Sequence, residues 1–246
     1  MSAITLVLLP GLDGTGNLFA SFLPELPPTV NVITAAYPSQ RFLPYSELVS
    51  WLREIVPRDG PFAILAESYG TPLAVKFSAT HPPQLVGIIL SAGFISNPVR
   101  RWGPLPKLLA RPLFFQIRPP DFLHEYFVLG SGAPESLKLA LRRTVRSLNT
   151  AVLARRARAT IDCDAREEIR EVEVPLLYLQ ATEDRLVGKD CLDEIKRLHP
   201  ETISVTVRAP HLLLQREPRV AASAIIQFLN ERCRRNKSGE ELFPIV

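Results

Sequence analysis

Phe62-Ala63-Ile64-Leu65-Ala66-Glu67-Ser68-Tyr69-Gly70-Thr71-Pro72-Leu73 is the stretch from which the fold is read. Its first five residues form a short apolar run of strand length, and a helical pattern extends from Tyr69 to Ala79. Ser68 therefore falls on a sharp turn between a strand and a helix. Small residues at 66 and 70 let the two elements approach without collision. The turn exposes the hydroxyl at a helix N-terminus, where the dipole favours developing negative charge. The pattern is the G-x-S-x-G elbow with alanine in place of the first glycine.

On either side the same alternation repeats. Strands are predicted at Ile4–Leu9, Asn31–Ala36, Phe62–Ala66, Leu85–Ser91, Leu176–Gln180 and Ile203–Arg208. They are continuously apolar, as expected of strands covered on both faces. Helices are predicted over Pro44–Val56, Tyr69–Ala79, Asp190–Leu198 and Pro218–Arg232. The fold class is therefore α/β, with a six-stranded mostly parallel sheet flanked by helices on both faces. No good strand lies between Ser91 and Leu176. Residues 97–160 carry paired prolines, aromatics (Trp102, Phe114, Phe115, Phe122, Tyr126, Phe127) and one long helical pattern from about Glu135 to Arg158. They are expected to form a helical cap insertion. The core is then 1–96 and 161–234, and 235–246 reads as a frayed tail.

The 246 residues suit one domain with an inserted cap. A hydrophobic fraction of 46% and a charged fraction of 22% are those of an ordinary globular protein. Cys163, Cys191 and Cys233 are odd in number and far apart, so neither a disulfide framework nor a CxxC metal motif is expected. Reduced thiols fit a cytoplasmic protein. The apolar run Ile4–Leu9 is too short for a signal-peptide core and lacks a preceding basic residue, so it reads as a buried strand. No stretch approaches the roughly 18 apolar residues of a transmembrane segment. Aromatic and basic residues are not interleaved in the manner that binds nucleic acid.

Three further segments carry chemistry. Leu9-Pro10-Gly11-Leu12-Asp13-Gly14-Thr15-Gly16 follows the first strand. A glycine-rich loop there can cradle a phosphate, but this one fits neither G-x-G-x-x-G nor the P-loop. The favoured reading is an oxyanion-hole loop, with the backbone N–H groups of Leu12 and Tyr69 as donors. Ala181-Thr182-Glu183-Asp184-Arg185-Leu186-Val187 follows the fifth strand, at the edge of a parallel sheet where ligands bind. Asp184 is favoured over Glu183 because it lies farther into the loop and an apolar segment follows it. Ala209-Pro210-His211 follows the last strand. His81 and His199 precede strands, at the opposite edge, and read as surface turn residues. His124 lies in the cap. Only His211 shares an edge with Ser68 and Asp184. A serine hydroxyl becomes a competent nucleophile when an imidazole takes its proton, and a carboxylate fixes the imidazole tautomer.

The order Ser68…Asp184…His211 over nearly the whole chain resembles the α/β-hydrolase superfamily, in particular its serine esterase and lipase-like members with a helical cap. The resemblance implies strand order 4-3-5-6-7-8 in the usual labelling. Met1 lies too close to the first strand for the family's two N-terminal antiparallel strands, and Pro10-Gly11 stands where the family has His-Gly. The serine argues against dehalogenases and epoxide hydrolases, which use aspartate. The expected activity is hydrolysis of carboxylic esters with small to medium apolar acyl groups. The alternatives are a thioesterase, an acyltransferase, a lyase, an esterase of carrier-protein esters, or a ligand-binding protein of the same fold. No cofactor and no metal are expected. Residues 97–160 hold twelve basic and three acidic residues. That excess is either a solvated helix face or a surface for an anionic carrier or lipid.

Overall fold

The computed structural model describes residues 4–103, 105–106 and 121–231. Six strands form one sheet: β1 (Thr5–Leu9), β2 (Asn31–Thr34), β3 (Phe62–Glu67), β4 (Leu85–Ser91), β5 (Leu176–Ala181) and β6 (Ile203–Val207). Their order is β2-β1-β3-β4-β5-β6, and every pairing is parallel. This is the order and the fold class expected from the sequence. The described helices of eight residues or more are α1 (Tyr45–Ile55), α2 (Gly70–Ser78), α3 (Glu135–Ser147), α4 (Thr150–Ile161), α5 (Lys189–Leu198) and α6 (Pro218–Glu231).

Period-two alternation sends successive strand residues to opposite faces. Val7, Leu9, Ile64 and Ala66 join a core with Leu48 and Leu52 of α1, Leu73 and Phe77 of α2, and Ile195 of α5. Leu6, Leu8, Ala63 and Leu65 join a second core with Phe19 of a 3-10 turn, Phe22 just after it, and Ile225 and Phe228 of α6. β3 and β5 are buried along their whole length, while the edge strands β2 and β6 are half-exposed. Leu, Ile and Phe side chains buried on both faces of a parallel sheet each contribute about 1.5–3 kcal/mol, and this sets the central strands rigidly. Register pairs Leu9 with Ala66, Ala66 with Leu90, and Ala181 with Val207. The loops after β1, β3, β5 and β6 thus leave the sheet at one common edge.

Among the described residues, the segment between β4 and β5 contributes no strand; Ser96 and Asp164 form one isolated antiparallel bridge. A short helix, Asp121–His124, runs into a π-helical turn, Glu125–Leu129. The single long helix expected from Glu135 to Arg158 is two helices instead. α3 ends at Ser147, Leu148 is extended, and Asn149 starts α4 by accepting hydrogen bonds at Oδ1 from the N–H groups of Ala151 and Val152, at 3.0 and 3.2 Å. The apolar stripe runs across this break, and the asparagine cap makes it. Leu137 and Leu141 of α3 pack with Leu129 and Ala133 against Leu18 and Leu212 of the core. The aromatics of this segment are not all buried: Trp102, Phe122 and Tyr126 are more than one-third exposed. Trp102 and Tyr126 stack edge-on against Phe127 instead. Phe114, Phe115, the expected tail 235–246 and Cys233 lie outside the described residues, as do the side chains of Asp121 and His124. Cys163 and Cys191 are buried, free thiols. No helix among the described residues is long and apolar enough to cross a membrane.

Replacing Asn149 by alanine removes the cap of α4. The expected cost is about 1 kcal/mol. That corresponds to a melting temperature about 2–4 °C lower in thermal unfolding. An unchanged melting temperature would mean that packing alone holds the break.

Candidate active site

At the end of β3 the backbone of Ser68 takes φ 49°, a left-handed conformation that non-glycine residues adopt at a cost of about 1–3 kcal/mol. The surrounding bonds hold it there. The Ser68 N–H donates to the Ser91 carbonyl at 3.0 Å, and the Ser68 carbonyl accepts from the Thr71 N–H at 2.9 Å and from Thr71 Oγ1 at 2.7 Å. Glycine at 70 is sterically required. A methyl group there would lie 2.9 Å from the Leu9 carbonyl oxygen and 3.0 Å from that of Pro10. At position 66 the alanine is fully buried, and its methyl group joins the core that β3 shares with α1 and α2.

The four sequence-derived segments meet here. His211 Nε2 lies 2.9 Å from Ser68 Oγ, and His211 Nδ1 lies 2.7 Å from Asp184 Oδ2. The side chains of His211 and Asp184 are 7% and 2% exposed, so this chain of bonds is shielded from water. An ionised Asp184 accepts only, so Nδ1–H donates to it and Nε2 is left to accept the serine proton. Asp184 is itself held by its own turn: Oδ1 accepts from the N–H groups of Leu186 and Val187 at 2.8 and 2.9 Å. Glu183 points elsewhere and pairs with Arg208 at 2.9 Å on the surface. His199 bonds Thr202 and the Val172 carbonyl, and His81 faces Glu173 at 3.6 Å; both lie away from Ser68.

Gly11 abuts the serine, for a Cβ there would stand 3.6 Å from Ser68 Cβ. Beyond it the loop closes through the Gly14 N–H to the Gly11 carbonyl at 3.0 Å. Neither the Leu12 N–H nor the Tyr69 N–H has a protein acceptor among the described residues. Two unengaged backbone donors beside the serine are the arrangement that an oxyanion needs.

Two buried charged residues at the site escaped the reading of the sequence. Glu67, adjacent to the serine, is 2% exposed; its Oε2 accepts from Gln215 Nε2 at 3.3 Å, and Oε1 has no partner. Burial pushes its carboxyl up to about 7, with Asp13 adding to the rise and His211 and the Gln215 bond opposing it. The signal was an acid closing an otherwise apolar strand. Arg156 of α4 is 4% exposed and was counted among the basic face residues. It falls four residues after buried Val152, on the inward stripe of its helix. For His211, burial alone would lower its pKa, but the charge and hydrogen bond of Asp184, with the charge of Glu67, outweigh it and the net shift is upward.

Arginines join each of three loops to the helical segment. Arg156 Nη1 donates to the Asp13 carbonyl at 2.7 Å. Arg185, next to Asp184, donates to the Tyr126 carbonyl at 2.7 Å with its guanidinium 3.8 Å from the centre of the Tyr126 ring. Arg216, after His211, donates to the carbonyls of Leu129 and Ser131. The excess positive charge of the segment is also partly met locally. Lys138 and Arg142 pair with Glu125 and Glu135, and Arg158 pairs with Asp162. Lys107, Arg111 and Arg118 lie outside the described residues. No group of three or more potential metal ligands was found among the described residues.

A sheet of this order with a strained serine elbow defines a class, and comparison with known proteins agrees. The profile of the alpha/beta hydrolase family matches residues 6–224, and the chain belongs to that family. A comparison with curated protein sequences gives no match. Among solved structures, a hydrolase from Oleispira antarctica superposes with a TM-score of 0.80 at 17% identity, covering 93% of this chain and 92% of that one. An enol-lactonase from Burkholderia xenovorans LB400 gives 0.78 at 16% identity, covering 94% and 93%. An esterase from Exiguobacterium antarcticum gives 0.77 at 16%, covering 93% and 92%. At such identities the likeness speaks for the fold alone.

Glu67→Gln provides a test of the electrostatics. It keeps the shape and removes a negative neighbour of His211, so the acid limb of kcat/KM should move to lower pH. The same variant should raise the melting temperature at pH 8 more than at pH 5. The folded-state carboxyl titrates above its unfolded value, so the native protein holds the extra proton between about 4.5 and about 7 and loses stability as pH rises through that window. An acid limb that stays fixed would remove Glu67 from the field acting on His211.

Proposed function

We propose that the protein is a serine hydrolase that cleaves carboxylic esters with small to medium apolar acyl groups. The observation that carries this reading is the unbroken chain from Ser68 Oγ through His211 to Asp184, at 2.9 and 2.7 Å, beside two unengaged backbone N–H groups. His211 Nε2 takes the proton of Ser68 as Oγ adds to the ester carbonyl carbon. The resulting oxyanion is held by the N–H groups of Leu12 and Tyr69. The imidazolium then returns its proton to the leaving alcohol, and the acyl group stays on Ser68. Water repeats the sequence: His211 takes its proton, hydroxide adds to the acyl carbon, and Ser68 leaves with the proton as the acid is released. Asp184 holds the imidazole tautomer and stabilises the imidazolium throughout.

The helices described between Asp121 and Ile161 act as the cap in this proposal, covering the edge of the sheet above Ser68 and excluding water; residues 104 and 107–120 of the expected cap lie outside the described residues. A neutral ester is favoured over an anionic carrier because several cap cations are already engaged by carboxylates or by backbone carbonyls.

A fluorophosphonate should label Ser68, and peptide mapping should place the adduct there. Ser68→Ala and His211→Ala should each lower kcat for an activated ester by about 10^4-fold or more, and the double variant should be no worse, because the residues act as one unit. Asp184→Asn should be damaging while Glu183→Gln stays near wild type. An adduct on Ser91 or Ser96, or a dead Glu183→Gln with an active Asp184→Asn, would overturn the assignment. A panel of esters graded by acyl length should show a preference for the shorter chains.

A further inference from the structure

Among the described residues Arg156 is the most deeply buried cation of the helical segment, and its partners are unusual. Three acceptors on two separate loops converge on one guanidinium. Nη1 donates to the Asp13 carbonyl at 2.7 Å and to the Leu12 carbonyl at 3.3 Å, and Nη2 donates to the Pro38 carbonyl at 3.1 Å. The guanidinium also lies 5.4 Å from the centre of the Tyr37 ring, whose hydroxyl donates to the Pro10 carbonyl at 3.1 Å. The Tyr37 ring in turn packs edge-on against Tyr69 at 5.8 Å. Gly14 is moulded to the arginine: a Cβ there would lie 2.2 Å from Arg156 Nη1, and the glycine φ of +70° already excludes most side chains.

Among the described residues no carboxylate is paired with this cation at salt-bridge distance, although the segment has acids elsewhere. A buried arginine satisfied by backbone carbonyls fixes the orientation of those peptides. The peptides it fixes are the two that follow the Leu12 N–H. On the other side of that N–H, the Gly11 carbonyl is held by the Gly14 N–H. The donor is therefore pinned from both flanks. Removing the guanidinium would leave three half-buried carbonyls without this partner and free the loop to tilt.

We propose that Arg156 is a positioning residue, one that aligns the Leu12 N–H for the oxyanion of the reaction while itself touching no substrate. The proposal rests on the serine-hydrolase reading above. It makes the helical segment part of the reaction's geometry as well as a cover. A donor displaced by about 1 Å costs rate on the order of 10^2-fold when it is used only in the transition state. Ground-state binding makes no such demand, so the effect separates kcat from KM.

The test compares Arg156→Met, Arg156→Lys and the neighbouring control Arg155→Met, whose guanidinium lies over Phe42 on the surface. Each is assayed with an activated short-chain ester, with a fluorophosphonate that labels Ser68, and with a trifluoromethyl ketone that forms a tetrahedral oxyanion on the serine. Arg156→Met should lower kcat by about 10- to 100-fold with KM within about threefold, and the trifluoromethyl ketone should weaken in parallel. Arg156→Lys, which reaches fewer carbonyls, should fall between, and methylguanidine added to Arg156→Ala should restore part of the rate. Arg155→Met should match the wild type. A rise in KM alone, unchanged ketone affinity, or equal losses in the Arg155 control would overturn the positioning role. If Arg156→Met does not fold, the lysine variant decides by the same criteria. If the wild type itself shows no adduct at Ser68, the serine-hydrolase reading falls and this inference with it. Labelled wild type with unaffected Arg156 variants overturns the inference alone.

Discussion

The carbonyl oxygens of Leu9 and Pro10 crowd the Cα of Gly70 so closely that a methyl group would sit 2.9 and 3.0 Å from them. This approach lets α2 begin directly over the end of β1. Because the helix starts there, the chain between β3 and α2 must reverse within one residue, and Ser68 absorbs the reversal at φ 49°. The same closeness brings the glycine-rich loop after β1 against the serine, with Gly11 in contact range of Ser68 Cβ. The cost of the strained serine is small beside the burial of the two cores that fix β1, β3 and α2 around it. The elbow is thus held by packing that lies well outside the site.

The remaining groups are held differently. Asp184 is fixed by its own turn through two backbone N–H groups, and His211 by the carboxylate it meets. The loops that carry them lean on the helical segment through Arg185 and Arg216, and the Leu212 N–H donates to the Val128 carbonyl at 3.2 Å. Arg156 does the same for the glycine-rich loop. Guanidinium groups suit this task because one planar cation satisfies several carbonyls in a fixed geometry, and it carries little hydration to lose compared with an ammonium. Of these three arginines only Arg156 belongs to residues 97–160; Arg185 and Arg216 are carried by the loops themselves.

The field around His211 is dominated by carboxylates at two distances. Asp184 is bonded to the ring, and Glu67 lies buried beyond it with one oxygen bonded by Gln215. Glu67 sits between two demands: burial favours its neutral form, and the imidazolium favours its ionised form. The two groups therefore act on each other through charge: ionised Glu67 raises the imidazole, and the imidazolium lowers the carboxyl. Tyr37, Tyr45 and Tyr69 surround the other flank with rings whose hydroxyls are held well above the ordinary range by burial, so they stay neutral.

The six strands, their parallel order and the loops bearing Ser68, Asp184 and His211 are legible in the sequence. A strand covered on both faces must be continuously apolar, and the helix after it has its own period, so the elements mark themselves and their C-terminal loops. Position alone favours Asp184 over Glu183; in the folded chain Asp184 meets His211 and Glu183 meets Arg208. The break at Asn149, the burial of Glu67 and the inward turn of Arg156 are not legible in that way. A capping side chain competes with a continuous apolar stripe, and the cap prevails at Asn149 in a chain whose α3 is packed against Leu18 and Leu212. An arginine counted in a basic run looks like any other until three carbonyls from distant parts of the chain converge on it. Periodicity records which face a residue occupies; what waits at that face is set by residues more than a hundred positions away, and only the folded chain brings them together.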